Sequence, residues 1–233
     1  MRAPAGVFHI SFDLWLTLIR SHPEFKALRD QLLKKLFAVE APLEEVSRTV
    51  RHCDRLFDRI SQRTGRTVDA FALLLVILDR LQVDTEKVSE AQLEEFYSGM
   101  EELFFAHPPQ LIDARTAEVL KTLCAQGTPL SILSNTAFIR GRTLRRTLEQ
   151  IGIAECFSFQ LYSDELGFSK PAPEVFQKLW EEAGSKRTLQ KQEILHIGDN
   201  PQADGEGAAR FGMKTLVIRG TDTAIGRLTE ICI

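Results

Sequence analysis

The sequence predicts an α/β protein, a doubly wound parallel sheet carrying an all-helical insertion. Three observations predict it. From Pro108 onward, short apolar strand runs alternate with single helices, the pattern of parallel strands joined by right-handed crossovers. Between Pro23 and Ala106 the chain shows helix signals and no convincing strand. A lone β-rich run over residues 7–12 precedes that block and matches the later strands in character.

Each element follows from a local signal. The 7–12 run reads as a buried strand ending just before Asp13. Pro23 suits a first helical position, and Phe25, Leu28, Leu32, Leu33 and Leu36 then recur at helical spacing. Pro42 opens a second helix, with Val46, Val50, Cys53 and Phe57 on one face and Gly65 as its stop. A third helix runs from about Val68 to Leu81. Ser89 with Gln92 three places on forms a capping box for a fourth, through Leu93, Phe96 and Leu103. After Pro108 and Pro109, Asp113 can cap a helix carrying Val119, Leu120 and Leu123, stopped by Gly127. Strands are then expected at Pro129–Leu133, Phe157–Leu161, Ile194–Ile197 and Thr215–Ile218. Helices are expected at about Phe138–Ile151, Pro173–Ala183 and Pro201–Phe211.

Composition sets the outer bounds. With 233 residues, 44% of them hydrophobic and 26% charged, the chain can bury an ordinary core, as one domain carrying a smaller inserted one. The expected division is residues 1–19 with 107–233 as the α/β core, and 20–106 as the helical part. A net charge of −3 gives no whole-chain bias toward nucleic acid or an anionic membrane, and neither is an expected partner; a small-molecule substrate is what the motifs described below imply by resemblance. Oligomeric state has no signature. Cys53, Cys124, Cys156 and Cys232 lack CxxC or metal-ligand spacing and read as reduced thiols. Residues 1–15 lack a basic head followed by a long apolar run, and the longest apolar stretch, Phe71–Leu78, is too short for a bilayer. A soluble, cytoplasmic protein is the expectation.

In open parallel sheets, ligands gather beyond the carboxyl ends of the strands. The polar residues that follow the strands are Asp13, then Ser134 with Asn135, then Asp199 with Asn200; Asp164, Glu165 and Lys170 lie in the loop after the Phe157 strand. Here the sequence resembles the haloacid dehalogenase-like superfamily. Phe12-Asp13-Leu14-Trp15-Leu16-Thr17-Leu18 is similar to its first motif, in which a strand delivers a nucleophilic aspartate. Ser134 closes a run similar to the second motif, and Lys170 in Gly167-Phe168-Ser169-Lys170-Pro171 resembles the third. Gly198-Asp199 through Asp204 resembles the fourth, GDxxxxD. The four stand in the family's order, and the helical insertion falls where many members carry a cap.

The resemblance implies a Rossmann-like core, a helical cap and a hydrolase working through Asp13. A carboxylate can divide a difficult hydrolysis into two steps through a covalent aspartyl intermediate. By resemblance, Mg²⁺ would be held by Asp13, Asp199 and the main-chain carbonyl of Trp15. Ser134, Asn135 and Lys170 would bind the phosphoryl group, and Asp204 would hold Lys170 or a metal-bound water, with Asn200 in support. Asp204 as first-turn helix charge, Ser134 and Asn135 as turn formers, and Arg51, Arg55 and Arg59 as a solvated helix face are the plainer readings.

One departure bears on reaction type. Most phosphatases of the superfamily have a second aspartate, a general acid and base, where this chain has Trp15. An indole N–H does not exchange protons near neutral pH. Leu16 also stands where many members have Gly. Three readings follow: a Mg²⁺-dependent phosphohydrolase of a small phosphorylated metabolite, using a good leaving group or an acid borrowed from His22; a metal-independent 2-haloacid dehalogenase, whose branch carries a bulky aromatic at that place; or a binding and regulatory member without turnover.

Overall fold

The structure, a computed structural model, describes residues 3–185, 187–219 and 222–232. The chain begins with β1 (His9–Phe12) and a two-residue strand, β2 (Ile19–Arg20). A helical block follows: α1 (Phe25–Leu36), α2 (Leu43–Thr64), α3 (Ala70–Arg80) and α4 (Glu90–Ala106). A short β3 (Gln110–Leu111) leads back, followed by α5 (Thr116–Ala125), β4 (Leu130–Ser134), α6 (Gly141–Gln150), β5 (Phe159–Tyr162), α7 (Ser163–Leu166) and α8 (Pro173–Ala183). Then come β6 (Ile194–Gly198), a wide turn over Pro201–Glu206, α9 (Gly207–Phe211), β7 (Lys214–Val217) and α10 (Ala224–Ile231).

Among the described residues, the main sheet has five strands in the order β5-β4-β1-β6-β7, all parallel. The order reverses at β1, which places Asp13 at the switch point where open sheets leave a crevice. Both faces are covered. Ile10, Phe12, Leu130, Ile132, Leu195 and Ile197 enter a core that runs on into the helical block. Leu133 and Ile194 face the other way, against Val175, Phe176 and Leu179 of α8. This is the expected α/β architecture with its helical insertion after the first strand.

Local chemistry explains the helix ends. The capping box of α4 is formed, with Ser89 Oγ accepting from Gln92 N–H at 3.3 Å and Gln92 Oε1 accepting from Ser89 N–H at 3.0 Å. Asp69 caps α3 by accepting from Phe71 and Ala72 N–H. Gly65 ends α2 with φ at 68°, and a Cβ there would stand 2.8 Å from that of Ala172, so both conformation and space call for glycine.

Several boundaries differ from expectation. The first helix starts at Phe25, not Pro23, because Phe25 N–H bonds to the His22 carbonyl in a preceding turn. Asp113 lies ahead of α5 and accepts from Arg115 N–H instead of capping the first turn. The strand expected at Phe157 begins at Phe159, since residues 154–156 form a 3₁₀ turn. The helix expected from Phe138 begins at Gly141, whose N–H is fixed by the Asp164 carboxylate at 3.0 Å. The ribbon of β2 and β3, antiparallel with Ile19 opposite Leu111 and Arg20 opposite Gln110, was not expected; it ties together the two linkers of the helical block. Among the described residues no helix is long and apolar enough to cross a membrane.

Candidate active site

β1 ends by bonding Asp13 N–H to the Ile197 carbonyl of β6 at 2.8 Å, so the backbone that carries the carboxylate is held by the sheet. The Asp13 side chain is buried. Its Oδ1 accepts from Ser134 Oγ at 3.2 Å and Lys170 Nζ at 2.7 Å, and its Oδ2 accepts from Thr17 Oγ1 at 3.2 Å. Ser134 closes β4, the neighbouring strand, and so reaches Asp13 across 121 residues of sequence.

Lys170 is only 1% exposed. Its ammonium donates to Asp13 Oδ1 at 2.7 Å, Asp204 Oδ1 at 2.6 Å and the Leu133 carbonyl at 2.7 Å, which uses all three protons. Asn135 grips the same residue from behind: its Oδ1 accepts from Lys170 N–H at 2.8 Å and its Nδ2 donates to the Lys170 carbonyl at 3.0 Å. The side chain of Asn135 is therefore committed to the lysine backbone.

The turn after β6 presents Asp199 and Asp204. Asn200 Oδ1 accepts from Gln202 and Ala203 N–H and starts the wide turn, in which Gly205 N–H reaches back five residues to the Asn200 carbonyl. Asp204 folds back over Gly198, where an added Cβ would lie 2.1 Å from the Asp204 carboxyl carbon. Only a glycine leaves room for that carboxylate. Asp204 Oδ2 accepts from Asn200 N–H at 2.9 Å, while Oδ1 takes Lys170 and His196 Nε2, the latter at 3.1 Å. Of the two expected tasks for Asp204, the contacts match the holding of Lys170.

Carboxylate oxygens of Asp13, Asp199 and Asp204 all lie within 4.8 Å of one another. Burial pushes the Asp13 carboxyl upward, with Lys170 opposing and Asp204 reinforcing the rise. Asp199 is pushed up to about 7 by burial first and by Asp13 and Asp204 next. Burial alone would raise Asp204 too, but Lys170 and His196 outweigh it and hold this acid well below the usual carboxylate range. Burial works against the Lys170 ammonium, and the two carboxylates overcome it, so its pKa rises. His196, wholly buried, is pushed down by burial, with its hydrogen bond to Asp204 opposing. The cluster thus sets three acids against one ammonium. An all-oxygen donor set with excess negative charge fits a hard divalent cation such as Mg²⁺.

A cavity of about 600 Å³ opens beside this cluster, between the sheet edge and the helical block. Its lining includes Trp15, Asn135 and Ser169 from the sheet side of the chain and His22, Arg29 and Arg55 from the segment that forms the helical block. Trp15 also packs against Phe104 of α4 at 6.1 Å. Leu16 is 64% exposed and adopts φ of 58°, a left-handed conformation that glycine takes without strain. Arg51 and Arg59 are solvent-exposed, as a solvated face requires, and Arg55 is exposed while bordering the cavity.

The far end of the helical block touches the lysine loop directly. Ser169 N–H donates to the Gly65 carbonyl at 3.0 Å, and Thr67 N–H to that of Gly167 at 3.3 Å. Thr67 Oγ1 bonds the Ser163 carbonyl at 2.8 Å, and the Arg66 guanidinium lies 4.4 Å above the Phe168 ring.

The structure brings together Asp13, Ser134, Asn135, Lys170, Asp199 and Asp204; Trp15 stands at the cavity wall, while Asn200 shapes the turn. Three participants had not been singled out: Thr17 on Asp13, and His196 with Ser11 behind Asp204, where His196 Nδ1 meets Ser11 Oγ at 3.1 Å. A histidine within the otherwise apolar run Ile194-Leu195-His196-Ile197 was the available signal for the second.

A family model for haloacid dehalogenase-like hydrolases matches residues 9–212. Human haloacid dehalogenase-like hydrolase domain-containing protein 3 is 31% identical over 118 residues, which is 50% of this chain and 43% of that protein, so the match spans less than half the relative's length. A putative hydrolase of the same class from Bacillus subtilis, solved bound to magnesium, superposes with a TM-score of 0.68 at 19% identity, covering 94% of this chain and 89% of that one. The 2-haloacid dehalogenase of Pseudomonas syringae superposes at 0.64 and 20% identity, covering 97% of each chain. Phosphatases and dehalogenases both stand among the similar structures, which at these identities share the fold.

Proposed function

The chain belongs to the haloacid dehalogenase-like hydrolases, and on that premise we propose that it is a Mg²⁺-dependent phosphohydrolase of a small phosphorylated metabolite, with the helical block as its cap. The observation that carries this reading is the convergence of the Asp13, Asp199 and Asp204 oxygens within 4.8 Å beside a single buried ammonium. Asp13, Asp199 and the Trp15 carbonyl would hold the cation. When bound, it supplies the charge compensation that an anionic nucleophile meeting an anionic phosphate requires.

The chain's own residues would act as follows. Asp13, oriented at Oδ1 by Lys170 and at Oδ2 by Thr17, forms a bond to phosphorus as the ester oxygen departs with its electron pair. Ser134 and Lys170 stabilise the charge on the transferring group. Water then cleaves the aspartyl-phosphate, releasing phosphate and restoring the carboxylate. Asn135 and Asp204 are positioning residues that hold Lys170 from its backbone and its ammonium, and Asn200 orders the turn that presents both aspartates. Since Trp15 supplies no proton, leaving groups that depart as weak bases suit this site, unless His22 in the cavity lining serves as the acid.

Trp15 at the cavity wall favours a second reading, a 2-haloacid dehalogenase, in which halide leaves without a proton. Retention of Asp199 in the acidic cluster speaks for the first. Turnover of p-nitrophenyl phosphate that vanishes in EDTA and returns with Mg²⁺ is the expected result. Chloride release from 2-chloropropionate in EDTA would establish the second reading instead, and phosphate-analogue binding without turnover of either substrate would mark a member that has lost catalysis.

A further inference from the structure

Away from the aspartate cluster, two linkers join the helical block to the sheet, and each delivers a histidine to the same point. His22 follows β2 by two residues, and His107 precedes β3 by three; the antiparallel pairing of Arg20 with Gln110 sets the two segments side by side. Their rings lie 5.2 Å apart between centroids, tilted by 57°. Glu24, at the start of α1, points its carboxylate between them: Oε2 is 3.8 Å from His22 Nδ1 and 3.5 Å from His107 Nδ1. One ligand atom from each of the three lies within 4.8 Å of the others.

As an ordinary ion pair this arrangement is poor. Glu24 is largely exposed, and a water-screened Glu–His contact contributes little. As a ligand set the spacing is apt: tetrahedral bonds of about 2.0–2.1 Å place neighbouring donor atoms about 3.3–3.4 Å apart. His22 Nδ1 accepts from Glu24 N–H at 3.3 Å, so this nitrogen carries a lone pair and not a proton, and a metal would take that lone pair in place of the long hydrogen bond.

We propose that His22, Glu24 and His107 form a binding site for a borderline transition ion of the Zn²⁺ class, which staples the two linkers of the helical block. Two imidazoles with one carboxylate select such ions over Mg²⁺, and a water completes the coordination. The site shares no residue with the acidic cluster, but His22 also lines the cavity, so a metal here would remove His22 as a candidate acid for the proposed phosphohydrolase.

Calorimetric titration of the full chain with Zn²⁺ under saturating Mg²⁺ tests it, with Co²⁺ visible absorption as a check on coordination. Wild type and Asp199→Asn should each bind one Zn²⁺ alike. Glu24→Gln and His107→Ala should weaken that binding by about tenfold or more, since loss of even a supporting partner costs a metal site that much. Glu24 is exposed, so its substitution spares folding and decides the matter if His107→Ala does not fold. Absence of Zn²⁺ binding, binding unchanged by Glu24→Gln, or binding lost in Asp199→Asn would each overturn the proposal.

Discussion

At the residue scale, the proposed phosphohydrolase turns on Trp15, which would leave the site without a proton donor for poor leaving groups. General acid catalysis typically contributes a factor of about 10²–10⁴, and only where the departing oxygen needs a proton. Trp15→Asp should therefore raise turnover of an alkyl phosphate far more than that of p-nitrophenyl phosphate; equal gains on both would show that proton supply is not what the indole withholds. The residues carrying charge were legible because each directly follows a strand, and a parallel sheet gathers such positions at one edge. Their partners were not. That Asn135 spends its amide on the backbone of Lys170, and that His196 rests on Asp204, follows from side-chain reach between strands far apart in sequence, which spacing along the chain does not encode.

At the scale of elements, the turn after β6 is the most exacting piece of the fold. Asp204 occupies the volume that any side chain at position 198 would need. Gly198→Ala must displace that carboxylate and strip Lys170 and His196 of a shared acceptor. Breaking a buried charge pair costs about 3–5 kcal/mol, which urea denaturation would measure; a loss below about 1 kcal/mol would mean that the turn relaxes freely. The sequence pattern read Pro201–Phe211 as one helix, since Pro201 and the Asn200 cap are ordinary helix starters. The structure begins it as a wide turn with a five-residue hydrogen bond and continues as α9 from Gly207, a widening frequently found where a chain serves a site. The long helices and buried strands were readable from periodicity. The β2–β3 ribbon has two residues per strand, too few for any period to register.

At the scale of the whole molecule, the concentrated acids shape the response to pH. Asp199 has its folded-state pKa raised from 3.8 to about 7, so its contribution to stability is full below 3.8 and lost as pH rises through about 7. Asp13 shifts in the same direction. Asp204, depressed, contributes above 3.8 and loses that contribution as pH falls further. Melting in EDTA should accordingly be highest in mildly acidic buffer and fall toward pH 8, and Mg²⁺ should restore most of the loss at pH 8. A melting temperature in EDTA that is flat across this range would count against the strained acidic cluster. The turn between α2 and α3 carries a different kind of consequence. Gly65, Arg66 and Thr67 clasp the very segment that presents Lys170, so a displacement of the helical block at that end would either break these contacts or pull on the lysine loop. Were the helical block to act as the lid of the proposed phosphohydrolase, that clasp would couple its position to the placement of the lysine.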